Sequence, residues 1–137
     1  MFSLYAFQYG ATAFLIAFAA AAAFTIGFKV LYQWITPYHE HTLIREGNMA
    51  AAVTLGGALI GYVLPLASAL SNTVSLPEFA AWALLAGGIQ ILVFLVVSRF
   101  ALKDLKTRIE AGEMAPAIYL ASISICAGLL NAACMTA

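Results

Sequence analysis

Of 137 residues, 64% are hydrophobic and only 9% are charged, against roughly a quarter charged in an average soluble domain, so the chain lacks the polar surface a soluble fold of its size needs. Six Lys and Arg balance six Asp and Glu, and without an excess of positive charge a nucleic-acid backbone is excluded as a partner. The solvent these numbers imply is the lipid bilayer.

Charge falls in two blocks, Lys29 to Glu46 and Arg99 to Glu113, with Glu78 alone between them. Four stretches, about 6–28, 49–70, 79–98 and 114–136, hold no Asp, Glu, Lys, Arg or His. Each approaches the ~20 apolar residues that cross ~30 Å of hydrocarbon as a helix. Period-two alternation is absent, and an open sheet cannot satisfy its backbone in lipid. The expected fold class is therefore an all-α membrane protein with four transmembrane helices.

The first span is read as retained, not as a cleaved leader. Small residues at Ala19 to Ala23 suit a cleavage site, yet the first positive charge, Lys29, follows the apolar run instead of preceding it. In the loop that follows, Thr36 and Pro37 are expected to N-cap and open a short helix. His39-Glu40-His41 is read as a solvated interfacial segment. On a helix its two histidines would point about 200° apart, too far to share one metal. Gly47 can end that short helix in the left-handed conformation, leaving Asn48 as an acceptor for the first free N–H groups of the next span.

The second span carries Gly57-Ala-Leu-Ile-Gly61, a spacing that lets helix backbones approach closely, beside a second row of Ala52 and Gly56. Pro65 removes the donor that would bond the Gly61 carbonyl, so a kink is expected there, with Tyr62 or Ser68 supplying the missing partner. Ser75-Leu-Pro77-Glu78 reads as a capping box that opens the third span. That span places Gln90 near its middle, with Ala83 and Gly87 on a small-residue face. Span one has such a face at Ala13, Ala17 and Ala21.

The third loop pairs an apolar stripe, Leu102, Leu105 and Ile109, with Asp104–Arg108 and Lys106–Glu110 at i,i+4. Such a basic amphipathic stretch suits an anionic leaflet. It ends at Gly112, and Glu113 is expected, like Asn48, as an acceptor at the start of the fourth span, which carries Ser124, Gly128 and Ala132 on one face and Asn131 within it. Cys126 and Cys134 lie about 12 Å apart along one helix, too far to pair, and are read as small apolar packing residues.

Asn131, Gln90, Tyr62 and Ser68 admit two readings: hydrogen bonding between helices, or the lining of a polar path past Pro65. No carboxylate, lysine or histidine falls at membrane depth in these spans, which weighs against ion pumping. No catalytic, cofactor or metal-site pattern is recognised, so a non-enzymatic protein is expected.

The Lys and Arg of loops 29–48 and 99–113 place both loops in the cytoplasm, and so both termini outside it. Shifting the chain by 65 residues superposes Thr42 on Thr107, Ile44 on Ile109, Gly47 on Gly112 and Met49 on Met114. The shared core, I-x-x-G-x-M-A-x-A-x-x-L, marks where a loop turns into an outgoing helix. Residues 1–137 are accordingly read as one membrane domain of two tandem hairpins, 6–70 and 71–137, arranged as a parallel repeat. Small-residue faces on every span exceed what one four-helix unit needs, so a homo-oligomer is expected.

Thr36-Pro-Tyr-His-Glu, Gly47-Asn48-Met-Ala-Ala, Gly61-Tyr-Val-Leu-Pro65-Leu-Ala-Ser68 and the tail Asn131-Ala-Ala-Cys134-Met-Thr136 resemble the YjfL-type family of small bacterial inner-membrane proteins. The resemblance covers nearly the whole chain and implies a bacterial cytoplasmic membrane and a two-copy hairpin of unknown function. It brings no ligand or catalytic residue. The frequent gene neighbourhood of such proteins, with relatives of a phage-shock membrane-binding protein, implies envelope maintenance and a membrane-associated stress protein as partner. The expected function is a self-associating scaffold in the inner membrane; a small channel or transporter with a path near Gln90, Pro65 and Asn131 is the alternative.

Overall fold

The structure, a computed structural model, describes residues 2–101 and 103–135; Leu102 and Thr136, named above, lie outside the described residues. All regular elements among them are helical: α1 (Leu4–Ile35), α2 (Glu40–Arg45), α3 (Met49–Asn72), α4 (Leu76–Val96), which passes into a π-helical turn (Val97–Ala101), α5 (Leu105–Glu110) and α6 (Met114–Cys134). α1, α3, α4 with most of its π-turn, and α6 are each long and apolar enough to cross a bilayer.

The helix starts follow local chemistry. The side chains of Ser3, Asn48 and Ser75 each accept from the N–H three residues on, at 3.3, 3.0 and 3.3 Å, satisfying donors that the first turn leaves free. α1 runs a full seven residues beyond the apolar stretch that predicted it, to Ile35. Nothing in 29–35 breaks a helix, and the break comes where Pro37 pushes Thr36 out of helical conformation (ψ 140°). Thr36 therefore closes α1, its N–H bonded to Tyr32 O at 3.0 Å. The expectation that it opens the next helix is corrected: α2 begins at Glu40, after His39.

α2 and α5 end alike. Gly47 and Gly112 take φ of +87° and +79°. The N–H of each glycine bonds the carbonyl three residues back, Ile44 and Ile109, at 2.9 Å in both. The next N–H, of Asn48 or Glu113, bonds Leu43 or Arg108, at 2.8 and 3.0 Å. These bonds satisfy carbonyls that a helix end otherwise leaves exposed. The two starts differ, because Asn48 caps α3 whereas the Glu113 carboxylate makes no capping bond and instead accepts from Arg108 Nε at 3.1 Å.

α5 also departs from expectation. Leu105 and Ile109 are buried, Ile109 completely, against the adjoining ends of α3 and α6. These two members of the stripe predicted to lie on lipid belong to the protein core. Asn48 is the reason: its Nδ2 donates to Ile109 O at 2.8 Å and to Glu110 O at 3.4 Å, tying α5 under α3. The ion pair found among the described residues is Arg108–Glu113, in place of the two expected i,i+4 pairs.

α3 is the hub, packing on α1, α4 and above all α6. Gly57 meets Ala121, Gly61 meets Ser124, and Ser68 meets Ala132, so numbers rise together and α3 and α6 run parallel. Gln90 meets Ser124 and Asn131 meets Ala86, so α4 runs against α6. Ring pairs join α1 to the bundle: Phe24 edge-on to Phe79, Phe28 stacked on Tyr62 with centroids 4.3 Å apart, and Tyr32 edge-on to Phe94 at 5.0 Å.

Three glycines are indispensable at the α3–α6 crossing, and a Cβ on the first of them, Gly57, would overlap the Ala121 backbone and side chain. A Cβ on Gly128 would overlap the Gly61 carbonyl oxygen, and one on Gly61 would overlap the Ser124 carbonyl oxygen. Gly56 and Gly88 have nothing within 4 Å of where a Cβ would lie. Gly61→Leu should thus cost at least about 1–3 kcal/mol through overpacking, read as a lower thermal midpoint in detergent. Gly56→Ala should leave the midpoint unchanged or slightly higher, since alanine is the better helix former.

Candidate functional site

The polar residues singled out in the spans converge on the helix crossings. Gln90 donates from Nε2 to Ser124 O at 3.0 Å, and Asn131 from Nδ2 to Ala86 O at 3.4 Å. Tyr62 donates to Ala83 O at 3.1 Å, and Ser68 to Ala132 O at 3.0 Å. Tyr62 and Ser68, expected to serve the carbonyl freed by Pro65, thus bond other helices. α3 runs unbroken through Pro65, and the Gly61 carbonyl faces Gly128. Gly57, Gly61, Ser124 and Gly128 are buried in this crossing and Ala132 is half-buried at its end. Gln90 Oε1 is buried with no hydrogen-bond partner. Cys126 and Cys134 are free and exposed, a correction to the expectation that they pack inside. Met49 is exposed and Met114 half-buried, flanking the Gly47 and Gly112 turns.

The most perturbed chemistry lies elsewhere, beneath the α1–α2 connection. Glu40, expected in a solvated loop, is 2% exposed, while His39 and His41 on either side are exposed. The correction has a geometric cause. Pro37 ends α1, and the chain doubles back so that α2 packs on α3; the first residue of α2 then faces inward. Around Glu40 lie Tyr32, Gln33 and Thr36 from the end of α1, and Tyr38 from the connection. Tyr38 donates to Thr54 Oγ1 at 3.3 Å, and Thr54 donates to Ala51 O at 2.9 Å. Thr36 donates to Gln33 O at 3.1 Å.

Four polar atoms in this cluster are buried without a hydrogen-bond partner: both Glu40 carboxyl oxygens, Tyr32 OH and Gln33 Nε2. Burial pushes the Glu40 carboxyl up to about 8, a rise only partly offset by nearby Gln33, Thr36 and Lys29, none of which reaches bonding geometry. Burial likewise pushes Tyr38 up to about 12, with Thr54 opposing and the Glu40 charge adding to the rise. Lys29 Nζ lies 3.5 Å from His41 Nε2 at the edge of the cluster. In chemical terms the arrangement holds a proton: a carboxyl kept neutral near physiological pH. Among the described residues no three of His, Cys, Asp and Glu converge on a metal position.

Residues 6–135 match the family described as Domain of Unknown Function DUF350. The chain belongs to the DUF350 family. It is also 40% identical over 126 residues to the UPF0719 inner membrane protein YjfL of Escherichia coli K12, and equally to its counterpart in E. coli O157:H7, covering 89% of this chain and 95% of theirs. No solved structure matches it. This DUF350 chain is thus a multi-pass helical protein, and neither the family nor these relatives bring a reaction with them.

Sequence reasoning missed the Glu40 cluster because an acidic residue between two histidines carries the signature of a wet loop. One signal could have found it: Thr36-Pro37-Tyr38 forces a reversal right after an uninterrupted helix, which turns the following residue toward that helix.

The junction residue Asn48 both caps α3 and holds α5. Asn48→Ala should cost this DUF350 chain ~1–2 kcal/mol, whereas Glu113→Ala, which breaks only the solvent-accessible Arg108 pair, should change stability by less than about 1 kcal/mol. Paired thermal melts in one detergent check the contrast.

Proposed function

We propose that this protein is a non-enzymatic, self-associating scaffold of the bacterial inner membrane. The carrying observation is α1. Its 32 residues extend roughly 48 Å, yet residues 2–10 are all exposed and only its second half is tied to its own bundle by aromatic pairs. Between α1 and α4 runs an apolar groove of about 440 Å³, lined by Ala23, Gly27, Leu31, Leu84 and Gly88 among others. Gly27 and Gly88 there have nothing within 4 Å of a Cβ position, so packing within one chain does not call for glycine at either. A helix of a second copy is the occupant such a groove suits.

On this reading the chain is a parallel repeat of two hairpins, 6–70 and 71–137. Its support is the like helix-ending bonds at Gly47 and Gly112 and the parallel course of α3 and α6. The charged loops 29–48 and 99–113 face the cytoplasm by the positive-inside rule, with both termini outside. The name of the E. coli relatives supports the inner membrane as its place. Envelope maintenance, with a membrane-associated stress protein as partner, is the role assigned to the assembly. Against a channel through one subunit stands the use of Gln90, Asn131, Tyr62 and Ser68 as donors to neighbouring helices.

Disulfide trapping in native membranes tests the scaffold. With Cys126 and Cys134 replaced by alanine, Ala23→Cys is expected to give a covalent dimer as the major oxidised species, and Ser122→Cys, on the far face of α6, little. Monomer alone at every α1 position, with native mass spectrometry from nanodiscs agreeing, would reject self-association. The same protein in liposomes is expected to pass no ions or small solutes; a flux abolished by Gln90→Leu would replace the scaffold with the channel.

A further inference from the structure

The Glu40 cluster is an unlikely thing for a purely structural bundle to keep. Burying a carboxyl without hydrogen bonds is costly, and a leucine would remove that cost. Here the cost is concentrated: two carboxyl oxygens, a phenol and an amide nitrogen, all buried, all unpartnered, and all within one turn of the α1–α2 reversal. Around the carboxyl stand donors that fall short of bonding it, Gln33 and Thr36. Such donors disfavour a metal cation, and burial, the larger effect here, keeps the acid neutral with its own hydrogen to share. The element that carries Glu40 is also short and bounded by breaks. α2 has six residues, no side-chain cap at His39, and helix-ending residues on both sides, Pro37 and Gly47.

We propose that Glu40 is a proton-operated latch: with its carboxyl neutral, α2 stays seated on α3 beneath the end of α1, and with the carboxylate charged, α2 lifts away and uncovers Tyr32, Tyr38 and Thr54. Atoms and charge balance simply, since the only transfer is one proton from the Glu40 carboxyl to water. The groups that face the latch are few. α1 contributes Lys29 and Tyr32, the connection contributes Tyr38, and α2 itself carries His41 on its exposed side, 3.5 Å from Lys29. The packed first turns of α3, Met49 to Thr54, bring no ionisable side chain, so no partner on α3 holds the charged form in place.

The sign follows from proton linkage. When seated, the carboxyl is held up at about 8; when released to water it returns to its ordinary value of 4.5. The seated state therefore binds the proton more tightly. Its advantage is complete below the ordinary value, weakens as the open-to-seated ratio rises about tenfold for each pH unit between the two, and levels off above about 8. Alkalinisation loosens α2; acidification seats it.

The test uses the full chain in lipid nanodiscs. Infrared spectroscopy reads the carboxyl directly: a protonated carboxyl band present at about pH 6 and lost with a midpoint near 8 is expected, and the band should be missing in Glu40→Gln. Hydrogen exchange, corrected for the intrinsic pH dependence of the amides, reads the latch. Opening at residues 40–46 should rise at least about tenfold from about pH 6 to about pH 9 in the wild type, and stay flat in Glu40→Gln, while the amides of α3 do not change. A carboxyl already ionised at pH 6, or α2 protection that ignores pH in the wild type, overturns the proposal, and both are read without any variant. A midpoint that moves with sodium concentration at constant ionic strength would make the site a cation site and overturn it equally.

Discussion

The α3–α6 crossing is the constraint on which the rest of the molecule depends. In lipid, apolar side chains gain little by meeting one another, so association rests on close van der Waals contact and interhelical hydrogen bonds. Gly61 and Gly128 bring two backbones together at a spacing that no side chain would allow. That approach is what places Ser124 O within 3.0 Å of Gln90 on α4, and Ala132 O within 3.0 Å of Ser68. Three helices are thus secured by the crossing's glycines, Gly57, Gly61 and Gly128, and a few amide and hydroxyl donors. α1, which has no such contact, is held by rings instead. Rings grip at a greater separation, and the groove between α1 and α4 is the consequence.

The same crossing explains the short helices at the charged end. Two parallel helices starting side by side leave their first N–H groups pointing the same way. Asn48 serves its own helix through its oxygen and the neighbouring loop through its nitrogen, accepting from Ala51 and donating to Ile109 and Glu110. One amide therefore ties α3 to α5. Glu113 occupies the corresponding place on α6 but has no nitrogen to donate, and its carboxylate turns to Arg108. The bond runs from the first junction to the second and is not returned.

Much of the fold was legible because lipid imposes simple rules. Runs without charge became helices, Ser75 and Asn48 became caps, and Gly47 and Gly112 took the left-handed turn that only glycine makes cheaply. What was illegible concerned burial against protein as opposed to water or lipid. Lys29 marked the end of an apolar run but not the end of a helix, since lysine propagates a helix well and only Pro37 stops it. Leu105 and Ile109 form the same stripe whether they face lipid or α3. Glu40 looked solvated for a related reason: a charge pattern reports what a segment could touch, and the reversal at Pro37 decides what it does touch. The polar residues in the spans were identifiable one by one. Which carbonyls they would bond depended on helix register, and that is set by the glycine crossing.

Polar groups are distributed in this molecule by what each can tolerate. Amides and hydroxyls stand at membrane depth, where a donor can be satisfied by a backbone carbonyl and no charge is ever at stake. Gln90 shows the limit of that arrangement, its nitrogen bonded and its oxygen left over. The single deeply buried carboxyl is kept out of the spans and placed on a six-residue helix at their end. A charge formed at Gln90's depth would have to be paid for in place, because the helix that carries it is locked by its neighbours. A charge formed on Glu40 has another course open to it, since the segment between Pro37 and Gly47 can carry it to water without disturbing the glycine crossing. The most perturbed group is therefore borne by a short helix at the end of the bundle, and the bundle behind it need not move.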